Sequence, residues 1–105
     1  KKELDALPAG ALVINCARGG IVDEPALLAA VKSGHLVGAG LDVFNVEPAI
    51  DHPFFGEPNI LMTPHSAGMS LEARQRSSYQ TVENILAVFD GTLDPDVVVN
   101  KEVLA

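Results

Sequence analysis

The chain has 105 residues, 48% of which are hydrophobic, and a formal net charge of -7. This length allows one domain with one core, and it excludes a two-domain enzyme with a closed cleft between its domains. The balance of 14 acidic to 7 basic residues argues against nucleic acid or an anionic membrane as a partner, because clustered lysine and arginine side chains bind such phosphate groups.

Cysteine content and the chain's first residues suggest its setting. The single cysteine, Cys16, cannot form an internal disulfide, which predicts a reducing, cytoplasmic environment. The apolar runs fall far short of the ~20 residues that span a bilayer, so we expect no membrane segment. The chain begins with Lys1 and Lys2 rather than Met, from which we expect a fragment of a longer protein.

A strand, a helix and a second strand are predicted in the first half of the chain. Residues 11–17 are apolar apart from one asparagine, which is typical of a strand buried on both faces of a parallel sheet. A helix is predicted to begin after Asp23, a favourable N-cap that is soon followed by Pro25, and to end near Ser33. Residues 37–44 are apolar again, and about 20 residues separate them from the first strand, enough for a parallel crossover.

A long loop, a third strand and a long helix are predicted in the second half. Residues 45–59 contain three prolines, which exclude a helix interior or a central strand, and we expect so long a loop to be functional. Residues 60–63 are predicted to form a short strand, and residues 70–90 a helix that Gly91 ends. Residues 97–99 are expected to be extended.

The order of these elements defines the fold class. The sequence β-α-β-loop-β-α predicts an α/β fold, half of a doubly wound, Rossmann-like parallel sheet. The Gly-x-Gly-x-x-Gly fingerprint of dinucleotide binding is absent, because Gly38 and Gly40 are followed by Val43 and lie inside a predicted strand. The long helix carries one apolar stripe, formed by Val82, Ile85, Leu86 and Phe89.

Four ionisable residues lie at or just after the predicted strand ends. Ligands of open parallel sheets bind outside the carboxyl ends of the strands, so these residues are candidates for a site. The four are Arg18, Asp42, Glu47 and His65.

The first two of these residues allow two interpretations each. Arg18 offers a planar fork that matches a carboxylate, and the glycines after it allow a ligand or another backbone to approach closely. The alternative is a surface arginine beside a helix. Asp42 interrupts an apolar run, so its carboxylate must be hydrogen-bonded or paired there, and a structural salt bridge is the alternative to a role in the site.

Glu47 and His65 are candidates for an acid-base pair. They are 18 residues apart in sequence, yet each follows a strand of the same sheet, so their side chains could meet at one rim. A carboxylate beside an imidazole fixes its tautomer and favours its protonated form, which suits a general acid. The alternative is that the two residues merely flank prolines in separate loops.

Other chemistries have less support. The three histidines and one cysteine do not have the spacing of zinc ligands, so no metal site is predicted. No Gly-x-Ser-x-Gly motif supports a hydrolase. Cys16, near Arg18, could be a mildly activated thiol, but a cysteine at the end of an apolar strand is more typical of a small core residue.

Three ordered motifs resemble the D-isomer-specific 2-hydroxyacid dehydrogenases, most of all the 3-phosphoglycerate dehydrogenase and hydroxypyruvate reductase branches of that family. The resemblance covers about residues 7–100. The motifs are Asn15-Cys16-Ala17-Arg18-Gly19-Gly20-Ile21-Val22-Asp23-Glu24, then Gly40-Leu41-Asp42-Val43-Phe44 with Glu47-Pro48, then Asn59 to Thr63 with Pro64-His65.

The resemblance implies a function and a set of roles. Arg18 would bind the carboxylate of a 2-hydroxy or 2-oxo acid, His65 would donate and accept the proton, and Glu47 would orient His65. The cofactor would be NAD, with NADP not excluded. The residues implied in binding its nicotinamide end are Cys16, Ala17, Arg18, Asp42, His65, Ser66, Ala67 and Gly68.

The resemblance also has limits. The turn after His65 differs from the family's usual sequence at residues 66–70, where nicotinamide contacts are expected. By this resemblance, residues 1–105 would be the C-terminal half of a dinucleotide-binding domain, without activity of its own. Half a sheet would leave an uncovered edge, so we expect a homodimer. The alternative function is a non-catalytic binding or scaffold protein, as in the corepressors that resemble the same family.

Overall fold

The computed structural model describes residues 1–104, which divide into two units, one ending at Ala67 and one beginning at Gly68. The first unit contains a three-stranded parallel sheet in the order β1-β2-β3. Its elements are α1 (Lys2–Asp5), β1 (Ala11–Asn15), α2 (Glu24–Lys32), β2 (Leu36–Leu41) and β3 (Ile60–Met62). The predicted α/β class is thereby confirmed.

The three strands end level with one another. Asn15 at the end of β1 pairs with Leu41 at the end of β2, and Leu41 pairs with Met62 at the end of β3. The residues that follow continue the pairing, since Asp42 N donates to Asn15 O at 3.0 Å and Thr63 N donates to Leu41 O at 2.9 Å. Side chains that follow different strands are therefore brought to one rim.

The core lies between α2, the sheet and the loop after β2. Asp23 caps α2 as predicted, because its carboxylate accepts a hydrogen bond from Ala26 N at 3.0 Å. Residues 45–59 contain no helix or strand, in agreement with the sequence, and Phe54 from this loop is 1% exposed. The buried cluster consists of Leu27, Ala30, Val31, Leu36, Ala39, Leu41, Phe44, Phe54 and Ile60.

The strands are shorter than the apolar runs that predicted them. β1 ends at Asn15 and not at Ala17, because the Asn15 side chain accepts a hydrogen bond from Ala17 N and so turns the chain. β2 begins one residue earlier than predicted, at Leu36, and ends at Leu41 rather than at Phe44. β3 ends one residue early, at Met62.

The second unit contains one long helix and two short turns. α3 (Leu71–Asp90) begins after Ser70, whose hydroxyl accepts a hydrogen bond from Ala73 N at 3.1 Å, and ends at Gly91 with φ of 65°. Both ends agree with the sequence. The extended tail predicted at 97–99 is wrong at its start, because Pro95–Val97 forms a 3-10 turn capped by the Asp94 side chain. Neither α1 nor a second 3-10 turn over Lys101–Leu104 was predicted from the sequence.

The apolar stripe of α3 is exposed. Within the described chain α3 has no buried residue, and each member of the stripe has at least half of its surface exposed. No helix among residues 1–104 is long and apolar enough to cross a membrane.

Candidate active site

The turn that carries Arg18 is held by one buried side chain. Asn15 is 6% exposed, and it accepts a hydrogen bond from Ala17 N at 3.1 Å and donates one to Arg18 O at 3.0 Å. The Arg18 side chain is exposed, and its Nη1 donates to Ala17 O at 2.6 Å. The backbone of this turn is therefore fixed, while most of the guanidinium donors face solvent.

The two glycines after Arg18 serve the backbone in different ways. A Cβ atom on Gly19 would lie 2.0 Å from the carbonyl oxygen of Phe44, so no side chain fits there. Gly20 has φ of +79°, a conformation that favours glycine. Of the two approaches that the sequence allowed, the structure shows a neighbouring backbone at Gly19.

Glu47 and His65 form a direct pair. Glu47 Oε2 lies 2.7 Å from His65 Nδ1, and Glu47 Oε1 accepts a hydrogen bond from Phe44 N at 2.9 Å. These two hydrogen bonds, the one from His65 first, lower the pKa of Glu47 below its ordinary value. Because the pair uses Nδ1, the other ring nitrogen, Nε2, is left for a ligand. The alternative of two unrelated loop residues is therefore wrong.

The turn after β3 aims His65 at this contact. His65 has φ of +53°, in the left-handed region that non-glycine residues rarely adopt. It follows Pro64, and its amide donates to Thr63 O at 3.0 Å. The imidazole is 48% exposed, so the pair is open to solvent on one side.

Asp42 holds the same turn, after β3, by hydrogen bonds. Its carboxylate is 2% exposed and accepts hydrogen bonds from the Thr63 hydroxyl, from Ser66 N at 2.8 Å and from Ala67 N at 2.9 Å. These bonds, with the Thr63 hydroxyl first, lower the pKa of Asp42. The alternative of a structural salt bridge is wrong among residues 1–104, because the bonding partners are one hydroxyl and two amides.

Arg18, Glu47 and His65 line one open depression of about 410 Å³, together with Gly19, Gly20, Phe44 and Asn45. A cation that can bind a carboxylate thus lies beside a hydrogen-bonded imidazole and carboxylate. Such an arrangement can hold an anionic group and exchange a proton with a neighbouring oxygen.

The remaining candidates lie around this depression or beyond it. Cys16 and Ala17 are exposed in the Arg18 turn, which places the thiol outside the core, contrary to the interpretation of Cys16 as a small core residue. Ser66 and Ala67 are exposed in the turn that Asp42 holds. Gly68 is the first residue of the second unit.

Two further residues near the site were not predicted. Glu24 Oε1 accepts a hydrogen bond from Asn45 N at 2.7 Å, and Glu24 Oε2 lies 3.3 Å from His52 Nε2. In the sequence, Glu24 indicates only an acidic first turn of a helix, and His52 only a loop histidine. Because Asn45 and His52 lie 21 and 28 residues from Glu24, no local pattern indicates these contacts.

Comparisons with known proteins identify the family of the chain. The model of the family "D-isomer specific 2-hydroxyacid dehydrogenase, NAD binding domain" matches residues 1–67. D-3-phosphoglycerate dehydrogenase of Mycobacterium leprae is 40% identical over 109 residues, which is 98% of this chain and 21% of that protein. Glyoxylate reductase of Thermofilum pendens is 45% identical over 90% of this chain and 28% of that protein.

A solved structure gives the same result. The crystal structure of a D-isomer specific 2-hydroxyacid dehydrogenase from Xanthobacter autotrophicus Py2, in complex with NADPH and MES, matches 90% of this chain and 41% of that chain. The TM-score is 0.75 and the sequence identity is 42%. The chain therefore spans less than half the length of each of these relatives.

Proposed function

Because the chain belongs to the D-isomer-specific 2-hydroxyacid dehydrogenase family, matching the model of its NAD-binding domain, we propose that it supplies the substrate anchor and the acid-base pair for interconversion of a D-2-hydroxy acid and its 2-oxo acid. The observation that carries this proposal is the 2.7 Å contact between Glu47 and His65 in the depression that Arg18 lines. When bound, NAD or NADP would supply or accept the hydride.

Arg18 is the proposed anchor for the substrate carboxylate. Its guanidinium has several free N–H donors, and its backbone is held by Asn15. A planar guanidinium can hold a carboxylate by two parallel hydrogen bonds, and the same positive charge would stabilise negative charge that develops on the substrate carbonyl oxygen.

His65 is the proposed acid in reduction and the proposed base in oxidation. Its Nε2 would donate a proton to the carbonyl oxygen of a 2-oxo acid, and would take it back from the hydroxyl of the product in the reverse direction. Glu47, bonded to Nδ1, would hold the ring and stabilise its protonated form.

The turns after β1 and β3 are better suited to bind the nicotinamide end of the cofactor than its phosphate groups. Exposed main chain at Cys16 and Ala17, and small side chains at Ser66 and Ala67, leave room for a flat ring beside Arg18 and His65. No Gly-x-Gly-x-x-Gly motif occurs in the 105 residues. We therefore propose that they form the C-terminal half of a dinucleotide-binding domain and have no turnover alone.

We also propose that the protein is a cytoplasmic homodimer. The argument is the exposed apolar stripe on α3, since apolar surface of this kind is commonly covered by a second subunit. No observation favours the alternative of a non-catalytic scaffold over an enzyme.

The test uses protein expressed from the complete reading frame that contains these residues. We expect glyoxylate or another 2-oxo acid to oxidise NADH or NADPH. The oxidation is measured as the loss of absorbance at 340 nm. His65→Asn should lower kcat by about 100- to 10,000-fold, the usual contribution of a general acid. The control is His35→Asn, since the His35 ring lies 3.2 Å from the Leu4 carbonyl and does not line the depression. Equal turnover by wild type and His65→Asn would overturn the proposal.

A further inference from the structure

Two carboxylates hold neighbouring amides of the same peptide segment. Phe44 N donates to Glu47 at 2.9 Å, and Asn45 N donates to Glu24 at 2.7 Å. Glu47 belongs to the proposed acid-base pair, whereas Glu24 lies in the first turn of α2 and touches neither His65 nor the depression. The two acids are thus joined through one stretch of backbone.

Glu24 uses both of its oxygens. While Oε1 accepts from Asn45 N, Oε2 lies 3.3 Å from His52 Nε2. His52 Nδ1 accepts a hydrogen bond from Phe54 N at 3.3 Å, so the ring proton must be on Nε2, where it is donated to Glu24. Glu24 therefore needs two acceptor oxygens, which a carboxylate has and an amide does not.

This cluster is half-buried, and its histidine packs against aromatic rings. The side chains of Glu24 and His52 are 16% and 9% exposed. The His52 ring packs against the rings of Phe44 and Phe54, with centroid distances of 5.2 and 4.5 Å. The contact between His52 and Glu24 is partly shielded from water and is therefore stronger than an exposed one. It holds the Glu24 carboxylate in place for its exposed hydrogen bond with Asn45 N.

The Phe44–Asn45 segment contacts both the Arg18 turn and Glu47. The Phe44 carbonyl presses against Gly19, the neighbour of Arg18, while the Phe44 amide holds Glu47. A shift of this segment would change the position of Glu47 and the room for the Arg18 turn together.

We infer that Glu24 is a positioning residue, which sets the geometry of the Glu47 and His65 pair relative to Arg18 through the Phe44–Asn45 backbone. The inference rests on the proposed function for its catalytic consequence, but its structural core can be measured without turnover. It assigns a role to an acid that contacts no reacting group.

The variant that tests this role is Glu24→Gln, which keeps the size of the side chain and removes one acceptor. Its NH2 group would face either Asn45 N–H or the His52 Nε2–H, and both are donors. The control is Asp51→Asn. It removes the same charge from an exposed residue in the loop that carries Asn45 and His52. Asp51 has φ of +54°, which asparagine tolerates.

The first measurement is NMR of the full 105-residue chain. In Glu24→Gln we expect amide hydrogen exchange at Asn45 and Phe44 to accelerate by about tenfold or more, and the side-chain nitrogen signals of His65 to shift. Asp51→Asn should leave both unchanged. A His65 signal that stays unmoved while Asn45 exchange accelerates would overturn the inference, because Glu24 would then hold only the loop. If Glu24→Gln does not fold, Glu24→Asp, which keeps both oxygens on a shorter side chain, is judged by the same criteria.

The second measurement is the pH dependence of kcat/KM for the complete protein. Glu24→Gln should move the limb set by His65 in the same direction as Glu47→Gln, and the double variant should move it by less than the sum of the two single effects. Full additivity would overturn the coupling. If the wild type reduces no 2-oxo acid but the His65 signals respond to Glu24→Gln, the proposed function fails and the inference stands. If the enzyme is active and these signals do not respond, only the inference fails.

Discussion

Glu47 Oε2 lies 2.7 Å from His65 Nδ1, although 18 residues separate the two in sequence. The contact arises because β2 and β3 are parallel neighbours that end level, and each residue follows one of these ends. The proposed acid-base pair therefore depends on the sheet for its geometry, and its side chains can be changed without disturbing the core.

Glu47→Gln should change the pH profile of reduction in the complete protein. The protonated form of His65 would lose its neighbouring negative charge, so the alkaline limb of kcat/KM should move to lower pH. The measurement is initial rates between about pH 5 and pH 9, the range in which histidine usually titrates. Glu57→Gln, in the same loop, is the control. An alkaline limb that coincides with that of the wild type would argue against the pair.

Arg18→Lys should weaken substrate binding in the transition state despite conserving charge. A lysine cannot form the two parallel hydrogen bonds of a guanidinium, and a charge-assisted hydrogen bond is worth ~1.5–3 kcal/mol. We expect kcat/KM for a 2-oxo acid to fall about 10- to 100-fold. Arg76→Lys, on the exposed surface of α3, is the matched control. Equal steady-state constants for both variants would remove Arg18 from its proposed role.

Asp42→Asn should lower the stability of the folded chain and make that stability depend less on pH. The pKa of Asp42 is lowered in the folded chain, so its contribution is present above the unfolded-state pKa of ~3.9 and is lost as pH falls through the folded-state pKa. Thermal unfolding of the full chain between about pH 7 and pH 3 is the measurement. The variant should have a lower Tm at neutral pH and a smaller loss on acidification. Asp5→Asn, at an exposed site, should show the same Tm at each pH as the wild type. If the Tm of Asp42→Asn falls with pH as steeply as that of the wild type, the role assigned to the Asp42 carboxylate is wrong.

Gly19→Ala should destabilise the first unit. Its Cβ would lie 2.0 Å from the Phe44 carbonyl oxygen, so one of two backbones must move. We expect a loss of about 3 kcal/mol or more in the free energy of unfolding, measured with urea. The control is Gly40→Ala in β2, where the nearest atom, in Ile14, is 3.8 Å away. Comparable losses for both variants would show that the Phe44 contact is not the cause.

Phe89→Ser should weaken the proposed homodimer. Phe89 is 83% exposed on the apolar stripe of α3, and burial of such a ring at an interface would contribute ~1.5–3 kcal/mol. Sedimentation velocity should show a dimer dissociation constant raised about tenfold or more. Val99→Ser, also exposed but outside α3, should leave it unchanged. A wild-type chain that stays monomeric at high concentration would contradict the dimer itself.

The sequence predicted the order of the elements because their signals are local. The apolar run before Asn15, the cap at Asp23 and the helix-ending glycine at Gly91 each act within a few residues, and all three are found where expected. The placement of Glu47 beside His65 followed from one further rule, that parallel strands bring their carboxyl ends to one edge.

The sequence could not predict contacts that depend on tertiary packing. The bonds of Glu24 to Asn45 and His52 join a helix end to a distant loop, and neither residue type indicates its partner. The true ends of the strands also depend on side-chain hydrogen bonds such as that of Asn15, which composition alone does not show.

The level ends of the three strands determine where the chain can tolerate insertions and deletions. Residues added between Phe55 and Asn59 would lengthen a surface loop and leave the distance from Glu47 to His65 unchanged, because the pairing of β2 with β3 sets it. One residue added within β3 would displace His65 by a strand rise of ~3.3 Å and turn it toward the opposite face of the sheet. Length variation among relatives should therefore concentrate in the loop and spare the three residues of β3.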